Sequence, residues 1–186
     1  MYTIRNLEKR ENGSIVEQTG PFQVLEYEKD LSVDYATAQA AYYASKMNVR
    51  KRQLICEVGP SQITVQAGAM QWTVGDVKAT TGVKGVGDFI GKALRGSVTN
   101  ESAIKPEYTG EGTLVLEPTY KHILLVDLND WNGSMVIEDG LFLACEHHVK
   151  HKVVMRSNLS SAAFGGEGLF NLALTGNGVV ALESDV

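Results

Sequence analysis

The chain predicts an all-β fold assembled from small repeated units, and three observations lead there. Short apolar runs bounded by Gly, Asn, Asp or Pro recur from residue 53 to the end, the pattern of a sandwich or barrel. A single stretch, 34–47, is free of glycine and proline and rich in alanine, so one helix interrupts the strands. Finally, Thr109-Gly-Glu-Gly-Thr-Leu-Val-Leu-Glu117 matches Thr175-Gly-Asn-Gly-Val-Val-Ala-Leu-Glu183 at a constant offset of 66 residues. Self-similarity at fixed spacing is the mark of a repeat architecture, here a unit of about 50–60 residues.

In chain order, residues 1–20 read as polar, with a turn at Glu11-Asn-Gly-Ser14. Phe22-Gln-Val-Leu-Glu-Tyr27 alternates as a strand does. Asp34 stands where it can cap the helix, whose last turn and exit carry Lys46, Arg50, Lys51 and Arg52, cations suited to the negative end of the helix dipole. That basic cluster reads as a solvated helix end, since no aromatic residues interleave with it as a single-strand binder requires. Strands are then expected at 53–58, 62–67, 70–74, 77–81, 97–104, 112–117, 122–127, 135–137, 141–146, 149–156, 168–174 and 179–183. A short amphipathic helix fits 88–94, with Gly96 closing it.

The repeat extends upstream. Gly68-Ala-Met-Gln-Trp72 sets against Gly140-Leu-Phe-Leu-Ala144, and Val77-Lys78 against Val149-Lys150, both at an offset of 72. The chain is thus expected to be one compact domain, 1–186, of units near 20–60, 61–118 and 119–186, the first a diverged copy carrying the helix.

Composition narrows the function classes. A formal net charge of −5 opposes a general grip on phosphate backbones, so nucleic acid is not an expected partner. No apolar run approaches the ~20 residues of a membrane span, and the opening residues lack the apolar core of a secretory signal, so a cytoplasmic protein is expected, with peripheral membrane contact left open. Cys56 and Cys145 each lie in an apolar run and read as buried free thiols.

No catalytic constellation emerges. The glycine-rich stretch 81–92 fails as a phosphate loop, because Val86 stands where a glycine is needed and Ala93 where a Ser or Thr is needed. Cys145-Glu-His-His-Val-Lys-His151 holds metal-type donors. On an unbroken strand, however, His147 and His151 would be ~13 Å apart at ~3.3 Å per residue, too far to share an ion. His147, His148 and His151 are therefore weak metal candidates, better read as surface or interface histidines. Glu101 and Glu167 sit among small residues ahead of apolar strands and read as carboxylates accepting backbone N–H bonds in tight turns. No cofactor is expected.

Gln66-Ala-Gly-Ala-Met-Gln-Trp72, Lys92-Ala-Leu-Arg-Gly96, Asn100-Glu-Ser and above all Phe164-Gly-Gly-Glu-Gly-Leu-Phe170 followed by Thr-Gly-x-Gly resemble the altered-inheritance-of-mitochondria (number twenty-four) family, also called the mitochondrial biogenesis family. The resemblance runs over about residues 20–186, and its signature positions here are Glu101, Gly165, Gly166, Glu167, Gly168, Gly176 and Gly178. It implies units like the double-stranded β-helix of the trp RNA-binding attenuation protein, assembled as trimeric rings of about nine units. It implies no reaction and no catalytic residue. The expected function is a non-enzymatic homo-oligomeric scaffold or interaction module. The alternatives are a small-ligand or metal site at a subunit or repeat boundary and, third, RNA binding by fold analogy alone.

Overall fold

The structure is a computed structural model and describes residues 12–80, 105–155 and 170–185. The signature residues Glu101, Gly165, Gly166, Glu167 and Gly168, the expected strand 97–104 and the expected helix 88–94 lie outside the described residues.

The described chain is predominantly β. Its strands are β1 (Gly13–Thr19), β2 (Phe22–Tyr27), β3 (Arg52–Val58), β4 (Ile63–Val65), β5 (Met70–Thr80), β6 (Glu107–Leu116), β7 (His122–Asp127), β8 (Ser134–Glu138), β9 (Phe142–Glu146), β10 (Lys150–Met155), β11 (Phe170–Thr175) and β12 (Val179–Ser184). One α-helix, α1 (Ala38–Lys46), leaves the sheet between β2 and β3. The larger sheet runs β1-β2-β3-β6-β4-β9-β12-β7, with β5 paired to β6, and a smaller sheet runs β10-β11-β8. The ends of the long path, β1 and β7, approach within 8 Å Cα to Cα with no ladder between them among the described residues, so the sheet is a nearly closed barrel.

Alternation along the strands sorts the core. On β3, Leu54, Cys56 and Val58 enter the main cluster with Phe22, Val24, Ile63 and Leu114, while Ile55 turns the other way to meet Leu25, Val115 and Trp72. β3 is therefore covered on both faces, and five of its first residues in a row are buried. A second cluster forms around Leu128, Phe142, Cys145, Leu172, Leu174 and Val180. Both cysteines are free and buried.

Pairing registers recur through the chain. Ile55 faces Val115 in β3·β6, and Leu125 faces Ala181 in β7·β12, offsets of 70 and 66. Ile63 faces Tyr108 in β4·β6, and Met135 faces Leu174 in β8·β11, offsets of 72 and 66. In β5·β6 the partners step from Trp72↔Val115 to Met70↔Leu116 through a bulge; in β9·β12 they step from Ala144↔Ala181 to Phe142↔Leu182 through the corresponding bulge. Shifted by these offsets, β3, β4, β5 and β6 line up with β7, β8, β9 with β10, and β11 with β12.

The crossing point of this pattern explains the Thr-Gly-x-Gly sequence. Gly110 takes φ +107°, and a Cβ placed on it would lie 1.9 Å from the Asp76 carbonyl oxygen. Gly176 takes φ +120°, and its Cβ would lie 2.6 Å from the carbonyl oxygen of His148, the residue 72 beyond Asp76. Only glycine allows both the dihedral and the close backbone approach. In the first set the chain runs through as one strand, β6; in the second it breaks into β11 and β12 across 176–178.

Several elements differ from expectation. The helix begins at Ala38, not Asp34, because Asp34 spends its carboxylate on a preceding turn: Thr37 donates to Asp34 Oδ1 from both N (2.9 Å) and Oγ1 (2.8 Å). Asn48, at φ +62°, helps end the helix. The runs 70–74 and 77–81 form a single strand, since Gly75 (φ +100°) bends without breaking opposite Gly112. β1 was not expected: with Ser14, Glu17 and Gln18 it is a largely solvated strand lacking the apolar alternation that marks a half-buried one.

Candidate functional site

The local geometry separates the three histidines between a turn and a strand. Residues 147–148 form a turn between β9 and β10, which brings the two rings to 3.8 Å between centroids at a tilt of 44°, while His151 lies on β10 near Phe142. No group of three His, Cys, Asp or Glu side chains capable of holding a metal occurs among the described residues. Burial first, and then the Lys105 ammonium, holds His151 below the usual histidine range, although its surface stays partly open.

The basic segment after α1 is not a free cationic patch, correcting the reading of a solvated helix end. Arg52 is buried and its guanidinium meets Glu26 Oε2 through Nε (2.9 Å) and Nη2 (2.7 Å); Arg50 approaches Glu26 Oε1 at 3.5 Å. Lys51 donates to Asp30 (2.8 Å) and to Ser32 Oγ (2.8 Å) and lies over the Tyr120 ring, whose hydroxyl also bonds Asp30.

The Lys51 ammonium, followed by the Ser32 and Tyr120 hydroxyls, holds the Asp30 carboxyl well below the usual carboxylate range. A depressed folded-state value stabilises the fold above the unfolded value near ~3.9, and that contribution is lost as pH falls. Asp30→Asn should therefore lower the melting temperature at neutral pH, and the gap from wild type should shrink below about pH 4. A gap that is constant with pH would contradict the assignment.

Burial pushes the Cys145 thiol up to about 12, against a smaller opposing bond from Thr64, and pushes Cys56 higher still. Both thiols are expected to stay unreactive toward a disulfide reagent in the native protein at neutral pH and to react together on unfolding.

One carboxylate does organise a glycine turn. Glu146 Oε2 accepts the Val179 N–H at 2.8 Å and packs against Gly178, closing the corner between β11 and β12. Sequence adjacency favoured Glu167 for such a role. Glu146 lies 33 residues before its partner, and the register of β9 on β12 brings the two together. Gly176 and Gly178 both take positive φ here, as the turn requires.

A second polar cluster joins the two strand sets. Lys105, almost fully buried, donates to Gln66 Oε1 (2.7 Å), pairs with Asp139 (3.2 Å) and lies 4.4 Å from the Phe142 ring centroid. These contacts tie the entrance of β6 to the turns after β4 and β8.

The remaining surface feature is strand edge. β4 is paired on both sides, to β6 and to β9. Its counterpart β8 is paired to β11 alone among the described residues, and β5, counterpart of β9 and β10, to β6 alone. An open edge offers a row of backbone donors and acceptors to another strand.

The fold defines a predominantly β, barrel-like protein whose β5 and β8 are each paired on one side among the described residues. The mitochondrial biogenesis AIM24 family model matches residues 43–185, and the chain belongs to that family. The crystal structure of protein SPYM3_0169 from Streptococcus pyogenes is similar at 26% identity and a TM-score of 0.52 over 73% of this chain, which spans 60% of that protein's length. No curated protein shows significant similarity. Among the described residues no helix is long and apolar enough to cross a membrane.

Proposed function

We propose that the chain is a non-enzymatic, self-assembling β-scaffold built from two copies of a four-strand unit. The recurrent registers support the duplication, with units at 52–116 and 122–184 in place of the approximate divisions 20–60, 61–118 and 119–186. β1, β2 and α1 then form an added N-terminal arm and not a third copy. Each unit resembles a short double-stranded β-helix of the attenuation-protein type. Trimeric rings remain the proposed assembly, with fewer units than the sequence resemblance implied.

One observation carries the reading: the second unit covers β4 of the first, while β8 of the second has no such cover among the described residues. A unit that is completed only by a following unit is the logic of a repeat array, and a free end favours association. Multi-angle light scattering is expected to give a stable trimer at micromolar concentration. A monodisperse protomer would overturn the proposal.

A further inference from the structure

We infer that β8 of one chain adds to the leading half of β5 of a second chain, antiparallel, with Met135 opposite Val74, Val136 opposite Thr73 and Ile137 opposite Trp72. The inference rests on the proposed self-assembly and specifies its contact.

The ladder is copied from one inside the chain. β4 pairs with β9 as Ile63↔Glu146, Thr64↔Cys145 and Val65↔Ala144. Further bonds extend it at both ends: Gln66 N–H donates to the Leu143 carbonyl at 2.8 Å, and His147 N–H donates to the Gln62 carbonyl at 2.9 Å. The offset of 72 carries β4 onto β8 and β5 onto β9. Moving the first strand of the ladder forward and the second back by that offset yields the stated pairs. It also yields two outer bonds, Glu138 N–H to the Gln71 carbonyl and Gly75 N–H to the Ser134 carbonyl.

Openness alone would not single out these edges, because β10 and the trailing half of β5 are also paired on one side only among the described residues. The outer edge of β8 and the leading half of β5 differ: among the described residues, each is open in one unit where its counterpart is paired in the other. Exposure follows the same contrast. Thr64, between two strands, is 2% exposed, whereas its counterpart Val136 is 60% exposed. A branched apolar side chain on an open edge invites strand addition, and no charge or proline within β8's Met135–Ile137 opposes it.

A separate observation lies beside the edge. Asn171 pairs across from Glu138 and stands 66 residues beyond Lys105, whose bonds to Gln66 and Asp139 close the joint between the two units. The Asn171 Oδ1 atom is buried and has no hydrogen-bond partner among the described residues. The offset that turns Asp139 into Ala67 places the start of the neighbouring chain's β5 segment opposite it. An orphaned acceptor at the joint is satisfied when that segment arrives.

The contact is head-to-tail: each chain offers β8 on one side and β5 on the other, so assembly continues until it closes. Equivalence to the intrachain bonds makes Met135 and Val74 a non-hydrogen-bonded pair, with Cα atoms about 4.5 Å apart and within disulfide reach.

The test is cysteine cross-linking. Met135→Cys with Val74→Cys in one chain is expected to give covalent multimers on non-reducing gels after mild oxidation. Mixed single variants should give only dimers, and Met135→Cys with Trp72→Cys, out of register, should give none. Two results overturn the ladder while leaving self-assembly standing: a dimer formed by Met135→Cys alone, which means like edges meet, or no cross-link in a double variant that light scattering shows assembled. A monomeric wild type overturns both. Val136→Lys should convert the assembly to protomers whose far-ultraviolet circular dichroism is unchanged; an assembly that survives it contradicts the inference.

Discussion

Gly110→Ala is expected to prevent folding. The new methyl carbon would sit 1.9 Å from the Asp76 carbonyl oxygen, on a backbone at φ +107°, in the strand that joins three partners. No side-chain adjustment relieves a clash with backbone, so β5 and β6 would have to separate. The cost should exceed about 4 kcal/mol, a large part of the stability of a domain this size. Gly140→Ala is the contrast, because nothing lies within 4 Å of its Cβ position. It should be neutral or stabilise by about 0.4–1 kcal/mol through the unfolded chain. Urea midpoints compare the two, and a soluble, cooperatively unfolding Gly110→Ala would refute the argument.

Glu26→Ala is expected to cost about 3 kcal/mol, since it leaves the Arg52 guanidinium buried without its carboxylate. Desolvation of the pair offsets much of its attraction, so the loss measures the stranded charge more than the bond. The double variant Glu26→Ala with Arg52→Met should recover most of that loss. Thermal unfolding of both variants decides it: equal destabilisation by each would mean that packing by the Arg52 stem, and not its charge, is what β2 and β3 need.

Where periodicity and local turn chemistry determine structure, the sequence was legible. β2 and β7 have the bounds expected of them. The failures have physical causes. Gly75-Asp76 looks like a turn because glycine usually ends a strand, and only the kinked partner at Gly112 lets β5 continue. Arg50, Lys51 and Arg52 looked solvated because their acids, Glu26 and Asp30, lie on the far side of the α1 excursion. Glu146 was missed because its bond to Val179 depends on register between distant strands. The one-sided pairing of β5 and β8 among the described residues carries no local signal either, since an edge is defined by which distant strands arrive.

The junction of β1 with β7 gives the barrel a line of easy separation. Among the described residues the two strands come close without a ladder between them, so parting them breaks no paired register and exposes little more than the already wet β1. Fluctuations of the native protein should begin along that line, as a brief lifting of the N-terminal hairpin. Outward-facing amides of β1 and β7 should exchange with solvent at rates nearly independent of global stability, while those of β3, β6 and β12 wait for complete unfolding. The barrel is thus a sheet wrapped shut along a clasp, with its most persistent amides in strands paired on both sides.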